Sequence, residues 1–198
     1  SAGPRICLFL KEHKMRILKL QVQVTVDGFI AGPNGEMEWT AIDWDNELKK
    51  YVGEITESID CIILGRKLAQ GFIPHWASHP EEEGADKFNS TKKVIFTKTL
   101  EKSEWDNAVL AKGDLVDEIN KLKKQDGKDI IAYGGAMFVS ALIKHGLIDE
   151  FHLFINPAAI GKGMSIFKEL DGKQNLKLVK STSFDCGIVV LKYEPKRD

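Results

Sequence analysis

The sequence predicts an α/β domain of three layers, α-β-α, built on a mostly parallel central sheet that ends in antiparallel C-terminal strands. Three observations carry this. Apolar runs of strand length alternate with stretches of helical periodicity through most of the chain. Several of those runs, such as CIIL at 61–64 and IIAY at 130–133, are continuously apolar, as in strands covered on both faces. From Phe151 onward only strand-like segments follow.

The elements follow in order. Residues 16–26 alternate for much of their length (Ile17, Leu18, Leu20, Val22, Val24, Val26), which predicts a strand with one partly polar face. Asp27-Gly28 and Gly32-Pro33-Asn34-Gly35 signal turns. Leu48, Tyr51, Val52, Ile55 and Ile59 recur at helical spacing behind Asp45, a plausible N-cap. The strand at 61–64 closes on Gly65, which opens a helix, and 94–96 repeats the buried-strand pattern. Asp114 caps a helix carrying Leu115, Ile119 and Leu122. Its early Asp117 and Glu118 and its late Lys121, Lys123 and Lys124 complement the helix dipole. The strand at 130–133 leads through Gly134-Gly135 into a helix that stops at Gly146. A strand at 151–155 ends at Pro157, and 176–179 and 188–193 form two closing antiparallel strands around a turn at 185–187. No repeat, low-complexity tract or linker interrupts the chain, so one domain is expected over 15–198. Residues 1–14 are expected to be a tag scar or upstream translation, because Ser1 is not an initiator and Met15 opens the first strand.

Bulk properties narrow the function. With 28 Lys and Arg against 29 Asp and Glu, the formal net charge is −1, which gives no general pull toward nucleic acid or membrane. Any polyanion must be held locally by a few placed donors. No apolar run approaches the roughly 18 residues of a membrane span. Cys7, Cys61 and Cys186 are odd in number and outside any CxxC pattern, so no disulfide framework or zinc site is expected, and a cytoplasmic setting is the simplest.

Two strand-to-helix junctions carry the chemistry: Gly65-Arg66-Lys67 and Gly134-Gly135-Ala136-Met137. A helix that follows a parallel strand presents free N–H groups and a positive dipole end, and glycine lets a phosphate approach closely. Arg66 and Lys67 add full charge, with Arg the better bidentate partner. Thr97-Lys98, ending a third strand, offers a hydroxyl and an ammonium on the same rim. Each junction taken singly is also the composition of an ordinary turn. Together they could hold an elongated, multiply phosphorylated ligand.

In order along the chain, these segments resemble the dihydrofolate-reductase-like superfamily. LQVQVTVDGFIAGPNGEMEW at 20–39 resembles its opening strand and nicotinamide-side loop, and IILGRK at 62–67 its strand-Gly-Arg segment. VIFTK at 94–98 resembles the strand that meets the adenosine phosphate, and IIAYGGA at 130–136 the Gly-Gly junction under the pyrophosphate, where that family has a cis peptide. The stretch from Gly146 through Asn156-Pro157 to Gly161-Lys162-Gly163 and Phe167 is closer to the reductase domain of bacterial riboflavin biosynthesis (RibD C-terminal type) and its free-standing relatives. The resemblance implies a dihydrofolate-reductase-like fold and an NADPH-dependent reductase. It implies the 2′-phosphate near Arg66, Thr97 and Lys98, with Gly65 and Lys67 beside them. It implies the pyrophosphate at Gly134, Gly135, Ala136 and Met137, and the nicotinamide against Ile30 and Ala31. Leu68 stands where these reductases usually have Thr.

The substrate side is less defined. The family's buried carboxylate on the first helix would fall at Trp44, flanked by Asp43 and Asp45. Those two and Asp27 are the candidate catalytic carboxylates, with Glu38 behind them. Asp45 could equally be an N-cap and Asp27 part of a turn. The histidines show no HxH or HExxH spacing, so no metal site is expected; His75-Trp76 is expected in a surface loop after the Gly65 helix. Glu81-Glu82-Glu83 reads as a solvated loop or helix start, and Gly161-Lys162-Gly163 lacks the rest of a P-loop. The zinc deaminase signature of the two-domain riboflavin enzyme is absent from this sequence. The expectation is hydride transfer to a small pterin- or pyrimidine-like heterocycle or a carbonyl compound. The alternatives are a true dihydrofolate reductase or an inactive nucleotide-binding protein on the same fold. A homodimer is expected: the resemblance implies it, since riboflavin-type reductase domains commonly pair, and the antiparallel C-terminal strands leave an edge needing cover.

Overall fold

A computed structural model describes residues 14–41 and 43–197. Most of the segment read as an extension, 1–13, with Cys7 and His13, lies outside the described residues.

The sequence periodicities become thirteen elements among the described residues: β1 (Leu18–Thr25), α1 (Asn46–Glu57), β2 (Ile59–Gly65), α2 (Arg66–Ser78), α3 (Ala85–Ser90), β3 (Lys92–Phe96), β4 (Ala108–Ala111), α4 (Leu115–Lys124), β5 (Asp129–Ala132), α5 (Ala136–Lys144), β6 (Glu150–Asn156), β7 (Leu176–Ser183) and β8 (Val189–Pro195). They build one eight-stranded sheet in the order β4-β3-β2-β5-β1-β6-β8-β7. The pairings from β4 across to β6 are parallel, while β8 is antiparallel to both β6 and β7. The predicted fold class, with its antiparallel C-terminal end, is what forms.

Two apolar layers make the sandwich. One face of the sheet buries Leu18, Leu20, Val22, Ile63 and Phe151 against Ile119 and Leu122 of α4 and Val139, Leu142 and Ile143 of α5. The other buries Ile62, Leu64, Ile131 and Phe154 against Leu48 and Ile55 of α1, Ala69 and Ile73 of α2 and Phe88 of α3. Strand period sends Phe151 and Phe154 of β6 into opposite layers, each fully buried and contributing roughly 1.5–3 kcal/mol. The polar face of β1 is buried as well: the Lys19 ammonium lies 3.1 Å from Asp129 and donates to Ser58. Asp45 caps α1 through Leu48 N at 2.8 Å and Asp114 caps α4 through Asp117 N at 3.1 Å, while Gly146 takes φ +63° past the end of α5.

The structure corrects several boundaries. β1 is shorter than 16–26 because the N–H groups at its two ends leave the ladder: Arg16 N donates to Lys123 O and Val26 N to Ala158 O. α3 and β4, six and four residues long, were not predicted, since neither is long enough to display a period. His75 and Trp76 belong to the last turns of α2, which continues through Pro74, and not to a loop after it. Glu81, Glu82 and Glu83 occupy the exposed turn between α2 and α3. Cys61 and Cys186 are free, and no helix among the described residues is long and apolar enough to cross a membrane.

Candidate functional site

Because β1 to β6 are parallel, their carboxyl ends lie along one edge of the sheet. The chain runs outward from β2 to β4 and then returns to insert β5 between β2 and β1. This reversal places Gly134-Gly135, after β5, between the Gly65-Arg66 junction after β2 and the loop carrying Ile30 and Ala31 after β1. Crevices at such reversals are where open α/β sheets bind ligands.

Four helices directly follow a strand or its loop at this edge, and they differ in how they begin. α1 and α4 are capped by aspartates, whereas α2 and α5 start at Gly65 and Gly135 with no side-chain cap. An uncapped helix start leaves N–H donors unmatched beside the positive dipole end, which suits an anion. Gly134 (φ +146°) and Gly135 (φ +80°) both take backbone conformations that L side chains rarely adopt, and nothing stands within 4 Å of the place a Gly134 Cβ would occupy. The cradle is therefore open toward α5, with Met137 exposed on its rim. The Gly134–Gly135 peptide is trans, unlike the cis link that the resemblance implies; the two positive φ angles make the turn into α5. Gly65 packs against Phe138, where a Cβ would approach within 3.1 Å. Leu68 is half-buried on the first turn of α2, an apolar side chain where a hydroxyl is expected.

Beside α2 lies a cleft of about 350 Å³ lined by Arg66, Phe96, Thr97, Lys98, Thr99, Ala111, Gly113 and Leu115. The buried Thr97 hydroxyl accepts from Thr99 N and Leu100 N, both at 3.1 Å, which leaves its own proton to donate. Lys98 Nζ donates to Lys112 O at 3.1 Å and Gly113 O at 2.9 Å, holding the ammonium against the cleft wall. The Arg66 guanidinium has one long contact, to Gln70 at 3.5 Å. Lys67 is exposed on the first turn of α2. A larger cleft, about 710 Å³, opens at the opposite edge around Arg16, Lys123 and Arg197. Those three cations are paired with Asp60 or Asp149, and Lys177 and Lys196 also line the cleft.

The loop after β1 is pinned from two directions. Ile30 N donates to Met164 O at 2.9 Å and Met164 N to Ala31 O at 2.8 Å, bridging it to the segment after β6. Gly163 makes this possible, since any Cβ there would overlap the Ala31 carbonyl oxygen. Ile30 and Ala31 are both buried. The fully buried Asn156 accepts from Ala41 N at 2.8 Å and donates to Gln23 at 2.8 Å, tying the far end of the loop to β1 and β6. Its role as an anchor was not legible in sequence, where Asn156-Pro157 appeared only as part of a motif.

The carboxylates are distributed unequally. Asp27 receives Gly161 N at 2.6 Å and Ile160 N at 3.2 Å. The Thr25 hydroxyl, followed by these N–H groups, holds its carboxyl below the usual range. Asp45 uses both oxygens, one on Leu48 N and one on Cys186 N at 3.1 Å; the Leu48 N–H is the main reason its carboxyl is also held low. Both are ionised clamps in this arrangement. Asp43 and Glu38 are exposed. The N-cap and turn alternatives describe the geometry of Asp45 and Asp27.

The comparisons with known proteins agree with this layout. A family model, the RibD C-terminal domain, matches residues 16–190. The chain belongs to that family. The uncharacterized protein YyaP of Bacillus subtilis is 38% identical over 185 residues, covering 91% of this chain and 95% of that protein. A Thermotoga maritima diaminohydroxyphosphoribosylaminopyrimidine deaminase/5-amino-6-(5-phosphoribosylamino)uracil reductase superposes with a TM-score of 0.69 at 19% identity, covering 92% of this chain and 57% of that longer one. The dihydrofolate reductase of Enterococcus faecalis, complexed with NADP(H), superposes with a TM-score of 0.61 at 16% identity, over 91% of this chain and 97% of that one. The fold of this RibD-type domain is thus dihydrofolate-reductase-like.

Proposed function

We propose that this RibD-type domain is an NADPH-dependent reductase that delivers hydride to a small pterin- or pyrimidine-like heterocycle or a carbonyl compound. The observation that carries the proposal is the cleft where Arg66, Thr97 and Lys98 converge beside the uncapped start of α2. Two cations and a free hydroxyl proton suit a dianionic 2′-phosphate, and the second uncapped helix, α5, suits a pyrophosphate. Family membership supports a reductase of this type, and the neighbour complexed with NADP(H) supports the cofactor class.

When bound, the nicotinamide would supply the hydride. The chain's own residues bind and orient. Gly134, Gly135, Ala136 and Met137 would offer backbone N–H groups, Gly65 and Lys67 flank Arg66, and Ile30 and Ala31 would hold the nicotinamide side. Asp27 and Asp45 position loops, Asp27 holding Ile160 and Gly161 and Asp45 holding Cys186. Asp43, exposed beside Trp44, is the remaining carboxylate of the three that could relay a proton through water.

Calorimetric titration tests the reading: NADPH should bind more tightly than NADH, and no binding of either would refute it. NADPH oxidation with a pterin, a ribosylaminopyrimidine or a carbonyl substrate would separate an enzyme from an inactive nucleotide-binding protein, the reading that the engagement of Asp27 and Asp45 favours second. Methotrexate-sensitive oxidation with dihydrofolate would identify a true dihydrofolate reductase. The expected setting is cytoplasmic, with a small-molecule substrate and a second copy of the chain as the partner.

A further inference from the structure

We propose that His75, His79 and Glu82 form a surface site for a divalent transition ion of the Zn²⁺ class, at the end of α2 remote from the nucleotide cleft. The HWASH segment at 75–79 puts one imidazole in the last turn of α2 and the other four residues on, at its C-cap. This is the i, i+4 histidine spacing of HExxH without its internal glutamate, which corrects the expectation that no two histidines stand at that spacing. The structure supplies the carboxylate from outside the helix, in the turn after α2.

The geometry is close to a ligand set. One donor atom from each of the three side chains lies within 4.8 Å of the other two. His75 Nε2 is 3.2 Å from a Glu82 oxygen, and the two imidazole rings stack with centroids 4.5 Å apart at 27°. Tetrahedral zinc with bonds of about 2.0–2.1 Å needs donors roughly 3.3 Å apart, a closure that small side-chain rotations can make on an exposed surface. Second, His79 Nδ1 lies 2.9 Å from the His75 carbonyl, which can only accept. That bond requires the proton on Nδ1 and leaves Nε2 with its lone pair, the arrangement that orients a metal-binding imidazole.

The electrostatics favour a cation. His79 is the C-cap of α2, where helix carbonyls concentrate negative potential. Glu81 and Glu83 flank Glu82, and Glu83 pairs with Lys49 at 3.6 Å. Two imidazoles and one carboxylate select zinc, nickel or copper over magnesium and calcium, which prefer all-oxygen shells. With three protein ligands the remaining coordination positions go to water. An ion here would tie the last turn of α2 to the turn leading into α3. Nine residues at about 1.5 Å each separate His75 from Arg66, so the ion would lie roughly 14 Å along the helix from the nucleotide cleft.

Zn²⁺ titration calorimetry on the full chain tests this, with Mg²⁺ and Ca²⁺ as controls. The wild type should bind one Zn²⁺ and neither control ion. His75→Gln, His79→Gln and Glu82→Gln should each lose more than the roughly 10–100-fold that follows loss of an outer-sphere partner. Quenching by Cu²⁺ gives a second readout, because the Trp76 ring centroid is 5.6 Å from His75. Quenching should saturate in the wild type and weaken in His79→Gln. All three side chains are at the surface, so unchanged near-UV circular dichroism verifies folding of the variants. A wild type that binds no Zn²⁺ overturns the proposal. So does full Zn²⁺ affinity in the His75→Gln, His79→Gln double variant, because the ion would then be held elsewhere.

Discussion

Replacing Arg66 with alanine removes the cleft's least engaged cation. Its one hydrogen bond, to Gln70 at 3.5 Å, is long and exposed, so the substitution should change stability by less than about 0.5 kcal/mol. Lys98 already spends two of its three donors on backbone carbonyls, and Thr97 has a single proton to give. A 2′-phosphate would thus draw most of its charged hydrogen bonding from Arg66. Hydrogen bonds to charged groups contribute about 1.5–3 kcal/mol, and each 1.4 kcal/mol is tenfold in affinity. Arg66→Ala should therefore weaken NADPH roughly 10- to 150-fold. NADH, which lacks the phosphate, should change by no more than about twofold. Isothermal titration of both dinucleotides at one fixed ionic strength measures the difference directly. Equal losses for the two, or none for NADPH, would show that Arg66 does not meet the 2′-phosphate.

Three further outcomes follow from the packing. Gly163→Ala would drive a methyl into the Ala31 carbonyl and should cost about 1–3 kcal/mol in thermal unfolding while weakening dinucleotide binding; an unchanged melt would mean the Ala31–Met164 bridge is not needed. The His152 hydrogen bond, helped by Lys192 and Lys19 and opposed by burial, holds Glu150 down to about 2 from an ordinary 4.5. That difference is worth about 3 kcal/mol, present above pH 4.5 and lost as pH falls toward 2. Glu150→Gln should remove that much at pH 7 and flatten the acid limb of the stability profile, and a profile identical to wild type would refute it. Finally, β7 ends the sheet with Leu178 and Val179 about half exposed (51% and 45%), so light scattering should give a dimer mass; a clean monomer would refute the pairing.

Much of the fold was legible because it is written in local signals. Strand runs at 61–64 and 130–133, helical spacing from Leu48 to Ile55, the Asp45 and Asp114 caps and the Gly146 stop each depend on a few neighbouring residues. α3 and β4 escaped because six and four residues do not establish a period. Of the candidate site, the strand-end motifs were visible as residue types. The roles of the carboxylates were not. Asp27 reads as catalytic or as a turn until Gly161, 134 positions away, is seen donating to it.

The sequence alone determined that glycine-opened helices would follow parallel strands, and that Arg66, Thr97 and Lys98 would stand at strand ends. Periodicity, caps and backbone freedom are properties of short segments, and they survive without knowledge of the whole. The tertiary structure decided which ends meet. Inserting β5 between β2 and β1 placed Gly134-Gly135 beside Gly65, and the Glu82 turn was folded back onto His75. These are contacts across the sheet or beyond a helix end. Their partners are chosen by the packing of both layers, which no local window contains.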